Sequence, residues 1–251
     1  VTGVQTCALP ISESDVSCCP ESLERLVEQF EQTEDLAVAY VQSVLINTYG
    51  EVIKMPVEKG NPIIYDGRYF IRTHLLYGTC IINASMAIFS REKSLGIDRC
   101  FKQFKSVGDW MFWVLMAETG KVAEVREPLN YFRRHEGTVT SRCSLNGVSD
   151  TNVKLILDYI LSRHIIKKKE FDYVRLYQLY RLKTKVFENA EVKQSLLSLW
   201  NTPSVSCSTR ISYFFIVFLN RIIRKIKKIF LNNTTQFLQD FKFQGDGNIF
   251  D

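Results

Sequence analysis

Asp109 is the side chain of this sequence best placed to do chemistry. It follows Gly108 and precedes an unbroken apolar run from Trp110 to Ala117. A helix apolar on every side must be buried, and a carboxylate at its N-terminus inherits that rigidity. A carboxylate held in this way can take the proton of an attacking hydroxyl. It can equally cap the helix, a role worth roughly 0.5–2 kcal/mol, and spacing alone favours the cap. The roles are compatible, because a capping carboxylate keeps a second oxygen free.

Other chemistry-bearing residues are scattered along the chain. Glu13 and Asp15, in Ser12-Glu13-Ser14-Asp15, offer the hard oxygens that Mg2+ or Mn2+ requires. Taken alone, two acids in a serine-rich stretch read as a solvated loop. Asn83 and Ser85 interrupt the apolar segment Cys80 to Phe89 with small polar groups. Arg133 and His135 follow Tyr131, where they supply positive charge or donors, with a strand-end salt bridge as the structural alternative. Trp110 invites sugar stacking, whereas Trp113, deeper in the run, reads as core. The three histidines, His74, His135 and His164, are too dispersed for a metal cluster, and His74 reads as a core or boundary residue. Seven cysteines include no Cys-x-x-Cys pair, and Cys18-Cys19 are adjacent, which argues for reduced thiols over a zinc site or a disulfide framework.

The elements that must position these groups are legible from periodicity. Pro20 to Gln32 predicts a helix, with Pro20 at its start and Leu23, Leu26, Val27 and Phe30 on one face. Leu36 to Ile46 predicts a buried strand, closed by Asn47-Thr48-Tyr49-Gly50 and answered by a short partner over Glu51 to Lys54. Met55 to Tyr65, with two prolines, reads as a loop. Asp66 to Tyr77 predicts a helix, Cys80 to Phe89 a strand, and Arg91 to Leu95 a helical turn; residues 96–105 read as a loop. Gly120 breaks the run after Asp109, Val122 to Val125 reads as a strand, and Pro128 leads a second extended piece. Residues 136–150 are polar and carry the expected domain boundary, followed by helices over Thr151 to Leu161, Lys167 to Phe187 and Glu191 to Trp200.

Gly108-Asp109-Trp110-Met111-Phe112-Trp113, followed by a strand and then Glu127-Pro128-Leu129-Asn130-Tyr131-Phe132-Arg133-Arg134-His135, resembles the second half of a family 2 glycosyltransferase catalytic domain. The similarity extends upstream through Asn83-Ala84-Ser85, Pro20-Glu21-Ser22-Leu23-Glu24 and Glu13-Ser14-Asp15. It covers about residues 12–142, with four motifs in the family order. The resemblance implies an α/β fold: the acceptor-side half of a glycosyltransferase-A type, Rossmann-like nucleotide-diphospho-sugar domain, followed by a helical tail. It implies inverting transfer from a nucleotide-diphosphate donor to a hydroxyl of a sugar, lipid-linked or glycan acceptor, in polysaccharide or glycan assembly. Asp109 would be the base. Glu13 and Asp15 would hold a divalent metal, although Val16 stands where relatives often carry a further acid. Asn83, Ser85, Trp110, Arg133 and His135 would line the donor and acceptor sites.

Val1 to Ile11 resembles the translation of a sequencing adapter and is set aside from fold reasoning. The expected organisation is then a partial catalytic domain over 12–145, a helical tail over 150–231 and a poorly ordered end over 232–251. With the nucleotide-binding strands of the family not represented, the polypeptide as given is expected to be an inactive fragment of an enzyme.

Composition agrees with a globular chain: 46% hydrophobic and 24% charged residues over 251 positions. No apolar run reaches the roughly 18–20 residues that span a bilayer. The expected compartment is the cytoplasm, with peripheral attachment at the inner face of the cell membrane through Ser212 to Leu231, which mixes aromatics and isoleucines with Arg221, Arg224, Lys225, Lys227 and Lys228. Such a helix suits an anionic bilayer surface, or packs on protein with its basic face solvated. Further basic patches and stacking platforms for nucleic acid are missing. The competing reading is a noncatalytic membrane-surface or scaffold protein in which Asp109 only caps its helix.

Overall fold

The computed structural model describes residues 16–56, 60–133, 143–215 and 218. The chain divides into two compact units, Val1–Trp200 and Asn201–Asp251. The first is a mixed α/β unit around a six-stranded open sheet. Its strands are β1 (Val16–Cys18), β2 (Leu36–Ile46), β3 (Val52–Lys54), β4 (Ile63–Tyr65), β5 (Ala87–Phe89) and β6 (Lys121–Arg133).

Two long strands, β2 and β6, run parallel through the middle of the sheet. Short strands flank them in tandem. β4 and β1 pair antiparallel with the first and second halves of β6, and β5 and β3 do the same for β2. Leu36 to Val41 is buried at every position, as expected of a strand covered on both faces. Cover comes from α1 (Glu21–Gln32), which packs on β2 and β6, and from α2 (Gly67–His74) and α4 (Gly108–Ala117), which pack on each other and on the same strands. The helix α3 (Arg91–Gly96) lies between β5 and a 3-10 turn over Arg99–Gln103.

The strand expected over Leu36 to Ile46 has those bounds, and α1 begins one residue after Pro20. Three expectations are corrected. Ile63 to Tyr65 is a strand, not loop, because Ile64 finds the edge of β6 opposite Ala123. Most of Cys80 to Phe89 is not strand; Asn83 caps a 3-10 turn over Ala84–Met86, and only Ala87–Phe89 pairs. The two extended pieces around Pro128 are one strand. Pro128 sits at a register shift, with Val41 opposite Val125 and Gln42 opposite Pro128, so its missing N–H falls where the ladder is already broken.

Three further helices, α5 (Val148–Ser162), α6 (Lys168–Thr184) and α7 (Ala190–Asn201), follow the sheet in sequence. The unit boundary after Trp200 places α5 and α6 in the same compact unit as the sheet. Buried Asp150 on α5 accepts from Arg181, and from Lys185 Nζ at 2.6 Å. Glu118, just past α4, takes Arg163 Nε at 2.8 Å and the Tyr159 hydroxyl at 2.5 Å. These pairs fasten α5 to α6 and to the end of the Asp109 helix.

Gly67 shows how closely α2 approaches α4. A Cβ built there would lie 1.7 Å from the Ala117 carbonyl oxygen and 2.2 Å from that of Gly120. Both obstacles are backbone, which cannot rotate aside. Gly67→Ala is expected to destabilise the protein by about 3 kcal/mol or more, the upper end of overpacking costs. Gly78→Ala, with open space around it, serves as control. Equal melting temperatures for the two variants would show that α2 does not seat on α4 in this way.

Candidate functional site

Two constellations hold the residues singled out by sequence. The first surrounds Asp109. α4 is buried from Trp110 to Ala117 except at Phe112, so its polar end is fixed by the core. The cap position belongs to Val107, not to Asp109. Val107 has φ 56° and ψ 23°, a left-handed conformation that a β-branched residue adopts only at a cost. Such strain, on the order of 1–3 kcal/mol, persists where the surroundings impose it, and it collects at functional sites. Here the surroundings are identifiable. Ser106 Oγ lies 2.8 Å from Ser149 Oγ, and Asn152 donates to the Ser106 carbonyl at 2.9 Å, both from α5. Behind Gly108, a Cβ would lie 3.0 Å from the Phe101 carbonyl oxygen, a tight contact for a side chain.

Asp109 occupies the first turn, and its Oδ1 accepts from Trp110 N at 2.8 Å. The side chain is exposed to solvent, yet dense protein around it desolvates the carboxyl. Desolvation pushes the carboxyl above its ordinary range, against the lowering effect of the backbone N–H groups of Trp110 and Asp109 itself. A plain helix cap is shifted the other way, because backbone donors and the helix dipole favour the charged form. The upward direction is the one that burial gives a carboxyl.

Trp110, next to Asp109 in sequence, is core. It is 4% exposed, and its Nε1 donates to the Leu75 carbonyl at 2.9 Å, so it fixes α4 against the end of α2. Sugar stacking by Trp110 is therefore set aside, since neither ring face is accessible. Trp113 is core, as expected.

The second constellation centres on Asn130, which is fully buried on β6. Its Oδ1 accepts from Ser43 Oγ at 2.7 Å and from Asn83 Nδ2 at 2.9 Å, while its Nδ2 donates to Cys18 Sγ at 3.2 Å. Asn83 in turn accepts from Met86 N at 3.1 Å, and the Cys18 thiol donates to the Ser85 carbonyl at 3.4 Å. One amide thus joins β1, β2, β6 and the Asn83–Ser85 turn. Asn83 is a structural link in this network; Ser85 is partly exposed beside it. Among the described residues no hydrogen bond joins this network to Asp109.

Arg133 Nη1 donates to the carbonyls of Asn47 at 3.1 Å and Thr48 at 2.9 Å, holding the β2–β3 turn. The strand-end role is thus filled by carbonyl contacts. Glu13, Asp15 and His135 lie outside the described residues, which begin with β1 at Val16, opposite Phe132. Among the described residues no group of three or more His, Cys, Asp or Glu side chains is arranged to hold a metal ion.

Sequence reasoning missed Asn130 and Glu124. Glu124 accepts from Gln42 Nε2 at 3.0 Å and from the Tyr65 hydroxyl at 3.1 Å, and burial followed by Glu124 pushes the Tyr65 phenol up to about 12. Both stand on β6 among other polar residues, Lys121, Arg126, Glu127 and Arg133, so the sequence did not set them apart. A separate groove, lined by Glu21, Glu24, Arg25, Glu28, Glu31 and Glu127, runs along α1 and contains none of the candidate residues. No protein-family model matches the chain, and no curated protein matches it.

Asn130→Leu removes the acceptor of two donors and the donor to Cys18 while keeping apolar volume. The loss of a satisfied buried node is expected to cost about 2–3 kcal/mol. Chemical denaturation checks this, and a change below about 0.5 kcal/mol would mean the four segments are held without it.

Proposed function

We propose that this chain is the acceptor-side part of an inverting glycosyltransferase of glycosyltransferase-A type, with Asp109 as the general base. The observation that carries the reading is the state of that carboxyl: exposed to solvent, pushed above its ordinary range by burial among its surroundings, and placed by the left-handed turn at Val107 ahead of a buried helix. The motif order described in the sequence supports the substrate class, a nucleotide-diphospho-sugar donor and a hydroxyl acceptor.

In this reading the acceptor hydroxyl lies within hydrogen-bond reach of Asp109 Oδ2, since Oδ1 is engaged by Trp110 N. As the oxygen attacks the anomeric carbon, its proton passes to the carboxylate, and the bond from that carbon to the diphosphate oxygen breaks with inversion. Ser85, whose carbonyl accepts from the Cys18 thiol of β1, also carries a hydroxyl that is a candidate donor to a sugar or phosphate oxygen. Hard carboxylates at Glu13 and Asp15 fit Mg2+ or Mn2+, which supplies charge neutralisation of a departing diphosphate when bound. Arg133 acts through its hold on the β2–β3 turn, and His135 is a candidate diphosphate contact by resemblance alone.

The test is transfer from a panel of nucleotide-diphospho-sugars by the enzyme that carries this domain, compared with its Asp109→Asn variant. A kcat loss of about 10²–10⁴-fold is expected, with the donor KM little changed and the fold retained. Because the base must be ionised, the wild-type rate should fall as pH drops through the raised pKa of Asp109. Unchanged transfer by Asp109→Asn would return Asp109 to a helix-end role and favour a noncatalytic protein.

A further inference from the structure

The second unit carries a surface that sugar transfer does not use. Residues 207–215 form a helix, α8, whose start is capped by Ser206, with Oγ accepting from Thr209 N at 3.3 Å. Arg210 secures the entry by donating to the Val205 carbonyl at 3.0 Å and to Asn201 Oδ1 at 2.9 Å. Four large apolar side chains stand open to solvent here: Ile211 at 70%, Phe214 and Phe215 at 60%, and Phe218 at 59% exposure. Their spacing, i, i+3, i+4 and i+7, puts them on one side of a helix. Scattered exposed apolar residues are ordinary, but a contiguous stripe of this size marks a contact surface.

The sequence that follows states what kind of contact. The same spacing continues through Ile222, Ile226 and Ile229, interleaved with Arg221, Arg224, Lys225, Lys227 and Lys228. Between Glu191 and Asp240 there is no acidic residue to offset these charges. A second copy of the chain would bring like charges together. Nucleic acid would meet the cations and leave the phenylalanine–isoleucine stripe in water. An anionic phospholipid surface takes both, with apolar side chains entering the boundary between headgroups and acyl chains and cations meeting lipid phosphates. Among the described residues no helix is long and apolar enough to cross a membrane.

We infer that the segment beginning at α8 docks the protein on anionic phospholipid membranes, through the Ile211–Phe214–Phe215–Phe218 stripe and the cationic residues after it. The inference does not depend on the sugar-transfer reading. The test is co-sedimentation of the full chain with vesicles of phosphatidylcholine alone or with about 30 mol% phosphatidylglycerol, at low salt and at about 0.5 M salt, where the screening length falls to a few ångströms. About tenfold or more binding to the anionic vesicles is expected, and most of it should be lost at high salt. Phe214→Ser with Phe215→Ser should weaken binding about tenfold; Lys227→Gln with Lys228→Gln should do so on anionic vesicles only. All four positions lie outside the first unit's core, and circular dichroism of the variants verifies retained helix content. Equal binding to neutral vesicles, indifference to salt, or unchanged binding by the phenylalanine variant would overturn the inference. So would pelleting without vesicles, or a dimer in light scattering that the same substitutions dissolve.

Discussion

A helix without a polar face has one place to go. From Trp110 to Ala117 the chain offers no run of side chains that water would solvate, so α4 must lie inside, and its N-terminus must emerge where the core ends. The rest of the unit can be understood as what that requirement imposes. Gly67 lets α2 come against the far end of α4 backbone to backbone, and Trp110 spends its only donor on the Leu75 carbonyl to hold the near end. Glu118 then ties the exit of α4 to α5 through Tyr159 and Arg163. The loop that enters α4 is gripped by Ser149 and Asn152 of the same helix. The strained conformation of Val107 is what remains when both ends are fixed and the connection is short.

That arrangement has a consequence for Asp109. A carboxylate at a helix start ordinarily profits from the N–H groups around it and is stabilised in its charged form. Here one such bond is made, from Trp110 N, but desolvation by the packed surroundings outweighs it and the carboxyl is pushed up. An upward direction is the one the proposed general-base role calls for and a stability-only cap does not need.

Much of the scaffold was legible from residue order alone. Leu36 to Ile46 declares itself by an unbroken β-branched and apolar run, and α1 by Pro20 followed by apolar residues at helical spacing. What stayed hidden was decided by partners distant in sequence. Ile63 to Tyr65 is too short and too close to prolines to read as a strand, and it becomes one only because the edge of β6 is there to receive it. Pro128 looks like a strand breaker until the register shift beside Gln42 is known. Asp109 was legible as a chemical group, and so was its choice between cap and base; the direction of its shift was not, because burial of the surroundings is a tertiary property. Trp110 misled for the same reason: an aromatic beside a candidate base invites a stacking role that only its 4% exposure removes. The Asn130 node could not be foreseen, since its partners come from three separate segments.

The direction of the Asp109 shift separates the two roles more cleanly than any other quantity. Carboxyl carbon chemical shifts followed by NMR against pH, with Asp109→Asn used to assign the resonance, measure it directly. The account predicts a midpoint above the ordinary aspartate value of 3.8. A midpoint at or below that value would identify Asp109 as a helix-end charge stabilised by its N–H neighbours, and would contradict its assignment as the base.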